Sequence, residues 1–261
     1  MDIHFECTMC GKCCHNLKLP MSMEEAIIWA ERGGSVQILC EAVPWPEEPA
    51  PDNLQAQSKR RRSFLATSGK LPTRIVVILA ASFEGACPHL QADSSCGIYE
   101  ERPRVCRIYP AEINPFVQLQ PEGKACPPEA WAPTQPLLMR GHRLVNAEIA
   151  TLIEESRAAD ANDAEAKGRL CASLEISTAA MANEGFTVYS PPRGRLLPEL
   201  RRALQPASHN ETLDDSLPAW KFVSNRREIV TMLASAGALG TFMSPGRTAE
   251  FEYLGFFPDS P

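Results

Sequence analysis

Four thiols lie within eight residues near the start of the chain: Cys7-Thr8-Met9-Cys10-Gly11-Lys12-Cys13-Cys14, the pattern CxxCxxCC. Two intervening residues let a pair of sulfurs turn onto one ion, with the backbone N–H groups between them facing the thiolates. Gly11 relieves the tight turn this requires. Thiolates at this density fit soft-metal ligation and little else. Adjacent side chains point in different directions, so Cys13 and Cys14 are not expected to serve one ion, and further ligands must come from elsewhere. Cys87, Cys96, Cys106 and Cys126 supply them. Eight thiols suffice for two four-coordinate sites or one multinuclear cluster. Zinc and iron–sulfur clusters both accept all-cysteine sites, with an iron–sulfur cluster placed first and zinc second. The remaining cysteines, Cys40 and Cys171, sit among apolar residues and read as small buried hydrophobes.

Other groups flank these thiols. Arg102 and Arg107 bracket Cys106, where guanidinium charge would offset excess thiolate charge and donate hydrogen bonds to sulfur; pairing with Glu100, Glu101 or Glu112 is the alternative. Tyr99 and Tyr109 are placed to screen the site or donate to it, or else to pack in the core. His15 and His89 lie close to cysteines and are expected to be structural rather than ligands, while His4, His142 and His209 have no evident partner. No phosphate loop, nucleophile elbow or HExxH pattern occurs, nor the Cx3Cx2C spacing of radical S-adenosylmethionine enzymes.

A disulfide framework is the competing explanation for so many cysteines. The opening residues, Met1-Asp2-Ile3-His4-Phe5-Glu6, have neither a basic nor an apolar leader segment, and the longest apolar run, Ile75 to Ala81, is too short to span a membrane. A cytoplasmic, reducing location is therefore expected, in which structural disulfides are rare. A net charge of -6 argues against general attraction to nucleic acid or anionic membrane. The one basic run, Lys59-Arg60-Arg61-Arg62, reads as a solvated loop. A protein partner or substrate is the class expected; nucleic acid and membrane are not.

The elements that must hold these residues can be read in outline. With 44% hydrophobic residues in 261, the chain can bury a sizeable core. Ser22 and Glu25 form a capping box ahead of a helix bearing Ala26, Ile27, Trp29 and Ala30, and Gly33-Gly34 ends it. Four prolines between residues 44 and 51 predict a loop over 41–63. Arg74 to Leu79 reads as a buried strand leading towards Cys87. A short helix is bounded by Pro103 and Pro110. Helical spacing recurs in Leu144, Val145, Ile149, Leu152 and Ile153, and again in Leu170, Leu174 and Met181, with a break at Asp160–Asp163. Phe186–Tyr189 and Phe251–Leu254 predict short strands, and Pro218–Ala236 a further helix. The fold class is thus α+β: an irregular cysteine-rich section with few strands (1–132), packed as one unit against a mainly helical C-terminal half (133–261).

Phe5 with the CxxCGxCC run, Cys87-Pro88-His89-Leu90, Cys96-Gly97-Ile98-Tyr99, Arg102-Pro103 and Cys106-Arg107-Ile108-Tyr109-Pro110 resemble the YkgJ-type cysteine-cluster proteins. The resemblance runs from residue 5 to about 126. It implies a bacterial cytoplasmic protein with a zinc- or iron-chelating domain, and says little about reaction. The FliB-type flagellin lysine N-methylases look related, although they are longer and their first cysteine cluster is spaced differently. The chain departs from compact family members in the insert between 35 and 74 and in its helical C-terminal half. Three functions compete: a redox or protein-modifying enzyme using the metal, a zinc-stabilised interaction module without catalysis, and metal storage or delivery.

Overall fold

The computed structural model describes residues 2–205 and 216–259, so His209 lies outside the described residues. In chain order the elements are β1 (Ile3–His4), β2 (Lys18–Met21), α1 (Met23–Glu31), β3 (Val36–Pro44), α2 (Leu54–Arg61), β4 (Ser63–Ser68), β5 (Leu71–Ser82), α3 (Arg104–Ile108), β6 (Leu137–Arg140) and β7 (Arg143–Leu144). They continue with α4 (Ala147–Asn162), α5 (Ala164–Ser173), β8 (Thr178–Met181), β9 (Gly185–Tyr189), α6 (Arg193–Leu204), β10 (Lys221–Ser224), α7 (Arg227–Ser235), β11 (Gly240–Phe242), β12 (Gly246–Arg247) and β13 (Glu252–Gly255). Helices and mixed sheets together make an α+β fold, and α4 to α7 all lie in the C-terminal half. That half also supplies six strands, β8 to β13, of the ten-stranded sheet.

The sheet is organised around β3 and β5, which pair antiparallel along their whole shared length, from Val36 opposite Ala81 to Pro44 opposite Thr73. The other edge of β5 takes β2 at its end and β4 at its start. The other edge of β3 takes β9 antiparallel at Ile38–Cys40 and β8 parallel at Glu41–Ala42. Strands from before and after residue 132 therefore share one hydrogen-bonded ladder. Alternation along the strands decides what each face buries. Val36, Ile38, Cys40 and Ala42 of β3, with Ile75, Val77, Leu79 and Ala81 of β5, join α1, α5 and α6 in the main core. Leu39, Ala80 and Val188 form a smaller cluster with Ile78, Phe186 and Leu254. Cys40 and Cys171 are fully buried and their thiols touch, as small core residues do.

Helix α1 begins as its residues dictate. The Ser22 hydroxyl accepts from Glu25 N at 3.2 Å, and Glu25 Oε2 accepts from Ser22 N at 3.0 Å. Gly34 is needed after it, because a Cβ there would lie 2.1 Å from Trp29 Nε1.

Several expected boundaries move. The proline-rich stretch is not one loop: β3 reaches Pro44, at the strand end where a missing N–H costs little, and α2 occupies Leu54–Arg61. The basic run is the end of that helix rather than a solvated loop, with Lys59 at 3.2 Å and Arg62 at 3.8 Å from Glu41, and Arg60 at 3.0 Å from Glu48. The helix expected from Pro218 starts only at Arg227, because Lys221–Ser224 is a strand held parallel to β8 and β11. Met181 belongs to β8 and Leu144 to β7, not to the flanking helices. No helix among the described residues is long and apolar enough to cross a membrane.

Candidate metal centre

Two backbone zippers position the first four cysteines. On one side, β1 pairs with β6, Phe5 N donates to Pro136 O and Glu6 N to Ala130 O (both 3.0 Å), and the Phe5 and Trp131 rings pack at 4.8 Å. This brings Cys7 to the segment that carries Cys126. On the other side, Cys87 N donates to Cys14 O at 2.8 Å, His15 bridges to Ala86, and Asn16 N donates to Gly85 O at 2.8 Å. This seats Cys14 beside Cys87. Between the zippers the chain turns tightly, with Met9 and Gly11 both at positive φ. Leu90 pairs with Cys96, and Gly97 N donates to His89 O at 2.8 Å, folding Cys96 back towards Cys87.

Helix α3 delivers Cys106, and α3 is tied to α1 by Glu25. That carboxylate accepts from Arg104 N at 2.8 Å and from Arg104 Nη2 at 2.9 Å, so the capping residue of α1 also anchors the cysteine-bearing helix.

None of the ten thiols is in a disulfide. Cys7 is exposed, and Cys10, Cys13, Cys14, Cys87, Cys96, Cys106 and Cys126 are half-buried. Their mutual fields sort them into two groups. Burial pushes the Cys106 thiol up to about 12, and Cys14, Cys87 and Cys96 push in the same direction. Burial also raises Cys87, again with Cys14 and Cys96 behind it. The second group gathers around Cys126, raised by burial and then by Cys10 and Cys7. Cys13 belongs with it: burial raises this thiol most, followed by Cys14, Cys126 and Cys7. Cys13 and Cys14 join the groups, their sulfurs 4.0 Å apart rather than splayed as adjacent side chains were expected to be; burial raises Cys14, with Cys96 of one group and Cys7 and Cys10 of the other acting in the same direction.

This donor set fits a soft cation. Burial first, and neighbouring thiols second, oppose ionisation of Cys13, Cys14, Cys87, Cys106 and Cys126, and the positive charge of a divalent ion or cluster would offset both. Among the described residues no three His, Cys, Asp or Glu side chains stand in metal-holding geometry, so binding an ion would require the thiols to move closer together.

The flanking residues divide. Arg102 lies 3.5 Å from the centre of the Tyr99 ring, donates from Nε to Tyr99 O at 2.7 Å, and is close enough to Cys106 to lower its pKa. Tyr99 therefore supports the arginine. Arg107 turns away to Glu148 of α4 at 3.1 Å. Tyr109 Oη accepts from the Cys126 thiol at 3.7 Å and from Ala125 N at 3.2 Å. Lys124, passed over in the sequence, sits over the Tyr109 ring at 5.3 Å, pairs with Glu112 at 2.6 Å and eases Cys126 down. Its position two residues before Cys126 was the available signal. Neither histidine near the thiols is among these groups: the His15 ring contacts Gly11 O at 3.1 Å, and His89 packs edge-on to Trp29 at 5.0 Å. The His4 ring contacts Gln135 O at 2.7 Å.

With this arrangement in view, the comparisons with known proteins bear on one stretch of chain. Residues 6–127 match the CxxCxxCC family model, described as "Putative zinc- or iron-chelating domain". The match takes in all eight of these cysteines. It supports metal binding through them and leaves the choice between zinc and iron open. Comparisons with curated proteins and with solved structures gave no match, and the likeness to flagellin lysine N-methylases gains no support.

Proposed function

We propose that this is a metal-binding protein whose eight thiols form two four-thiolate sites: Cys14, Cys87, Cys96 and Cys106 in the inner one, and Cys7, Cys10, Cys13 and Cys126 in the outer one. The observation that carries this reading is the convergence of thiols from two distant segments onto two neighbouring groups, one acting on Cys106 and Cys87 and the other on Cys126 and Cys13. Arg102 would offset thiolate charge at the inner site and Lys124 at the outer one, where the Tyr109 hydroxyl could donate a hydrogen bond to the Cys126 thiolate.

Four thiolates per metal leave no open coordination position, which favours electron transfer or a structural role over chemistry at the metal itself. An iron–sulfur cluster acting in electron transfer is the first reading. Zinc in the same ligands, organising a surface for a protein partner, is the second; the half-buried, near-surface placement of the thiols favours it.

Anaerobic purification with elemental and acid-labile sulfide analysis tests the proposal. Iron with equal sulfide supports the cluster, and zinc in a colourless protein supports the interaction module. Cys106→Ser should lose the inner metal and keep the outer, and Cys10→Ser the reverse. Loss of all metal in either variant would replace two sites by one multinuclear cluster, and full metal in both would overturn the ligand assignment.

A further inference from the structure

A cleft of about 580 Å³ opens beside α3, lined by residues of the sheet, α2 and α4. Arg104 and Val105 line it, and the next residue, Cys106, belongs to the inner thiol group. The volume is that of a small-molecule site. Its charge runs against that of the chain. Overall charge is -6, yet the lining holds the cations Lys59, Arg62, Arg104, Arg157 and Lys167 and only the carboxylates Glu25, Glu41 and Asp160.

Those carboxylates are already engaged. Glu25 is taken by Ser22 and Arg104, Glu41 by Lys59 and Arg62, and Asp160 by Lys167 and, at 3.8 Å, by Arg62. Three buried polar atoms of lining residues have no hydrogen-bond partner among the described residues: Arg62 Nε, Arg104 Nε and Ser156 Oγ. Ser156 lies one turn before Asp160 on the same face of α4, and Asp160 is the residue there that Arg62 approaches. Arg157, next along, makes no ion pair at contact distance among the described residues, although Glu154 acts on its charge; its Nε donates to Ile113 O at 2.8 Å. Buried N–H groups without acceptors are costly, and an arginine fork meets an oxyanion well. The rest of the wall mixes polar Ser22, Gln55, Ser58, Asn114 and Asn183 with apolar side chains, among them Ile78, Val105 and three phenylalanines. Phe186 and Phe256 pack edge-to-face at 5.6 Å, and Phe116 stands 43% exposed on the lining.

We propose that this cleft binds a small organic oxyanion, a carboxylate or phosphate monoester carried on an apolar or aromatic body. Arg62, Arg104 and Ser156 take the head group, and Val105, Phe116 and Phe186 take the body. The proposal does not depend on which metal the thiols hold.

Calorimetric titration of the full-length, metal-loaded chain at low salt tests it, using phenyl phosphate, phenylacetate and, as a body without an acidic head, benzyl alcohol. Saturable one-to-one binding of at least one acid, and none of the alcohol, is expected. Binding of phenyl phosphate alone identifies a phosphate monoester as the ligand class, and of phenylacetate alone a carboxylate. Arg62→Gln should weaken the bound acid about tenfold, the scale of one lost charged hydrogen bond. Phe116→Ala, a change at an exposed position that spares the fold, should weaken it measurably. Arg195→Gln, outside the cleft, should leave it unchanged. No saturable binding of either acid would overturn the proposal. So would unchanged affinity in Phe116→Ala, which decides the matter if Arg62→Gln does not fold. Metal content is measured on the same samples, so failure of the cleft with metal intact leaves the thiol assignment standing.

Discussion

The sheet and the cysteine section are held together by different means. Between Leu71 and Ala81 seven side chains of β5 are buried hydrophobes, among them Ile75 and Leu79 at 0% exposure. The described residues 2–18 contribute no buried hydrophobe, and 84–131 contribute only Ile108 and Ala130. One region can fold on apolar burial alone; the other has a few backbone bridges, a carboxylate tie through Glu25 and eight thiols. A segment so poor in core needs a cross-link, as small domains generally do. If the thiols hold metal as proposed, this contrast gives that metal a structural share of the work, whatever chemistry it also performs.

Removing the metal should separate the two regions most sharply. Structural zinc sites in peptides contribute about 10–16 kcal/mol of apparent binding energy, which is then folding energy. A chelator under reducing conditions should therefore abolish hydrogen-exchange protection in 2–17 and 84–131 while β3 and β5 keep theirs. Equal loss in both would show that the sheet depends on the metal as well. Alkali sharpens the same point. The metal-free Cys106 thiol has its pKa raised from 9.0 to about 12, so the folded state binds the proton more tightly than the unfolded state. Stability present below pH 9.0 should be lost as pH rises towards about 12 in the metal-free protein. The metal-loaded protein should show no such loss over that range, and denaturant midpoints recorded at each pH would read the difference.

Smaller effects belong to the sheet. Leu79→Ala removes a fully buried side chain from β5 and should cost roughly 2–5 kcal/mol in chemical denaturation, with metal content unchanged. A fall in metal content would show that the core also sets the thiol geometry. Ser22→Ala deletes half of the capping box and should cost about 1 kcal/mol. Because Glu25 also holds Arg104, Glu25→Gln should slow metal uptake as well, whereas Ser22→Ala should not; uptake rates after reconstitution distinguish them.

What could be read from the residues follows the same division. The β-branched run of β5 and the capping box of α1 announce themselves locally, because burial and capping act on neighbours in sequence. Helix α2 does not, since Leu-Gln-Ala-Gln-Ser-Lys-Arg-Arg carries no apolar stripe. In α6 the buried Leu196, Leu200 and Ala203 kept helical spacing, and the signal was obscured by Pro192 and Pro198. At β10 the apolar spacing of α7 extends backwards by chance, and only pairing with β8 and β11 reveals a strand. The cysteines were visible as a set because their type and density are unusual. Their division was not, because it is set by contacts between Cys14 and Cys87 and between β1 and β6, which no local pattern encodes. The cleft was hidden for the same reason, as its arginines reach one another only through the fold.

The zippers that clasp the CxxCxxCC turn also set a timetable for biosynthesis. Its partners on the two sides, near Gly85 and near Ala130 to Met139, are made long after Cys7 to Cys14 have left the ribosome. At about 5–20 residues per second, the first thiols wait on the order of ten seconds before Cys126 exists. Through that interval the nascent chain displays unsheltered thiols, so oxidant or a stray ion meeting it early would compete directly with correct assembly.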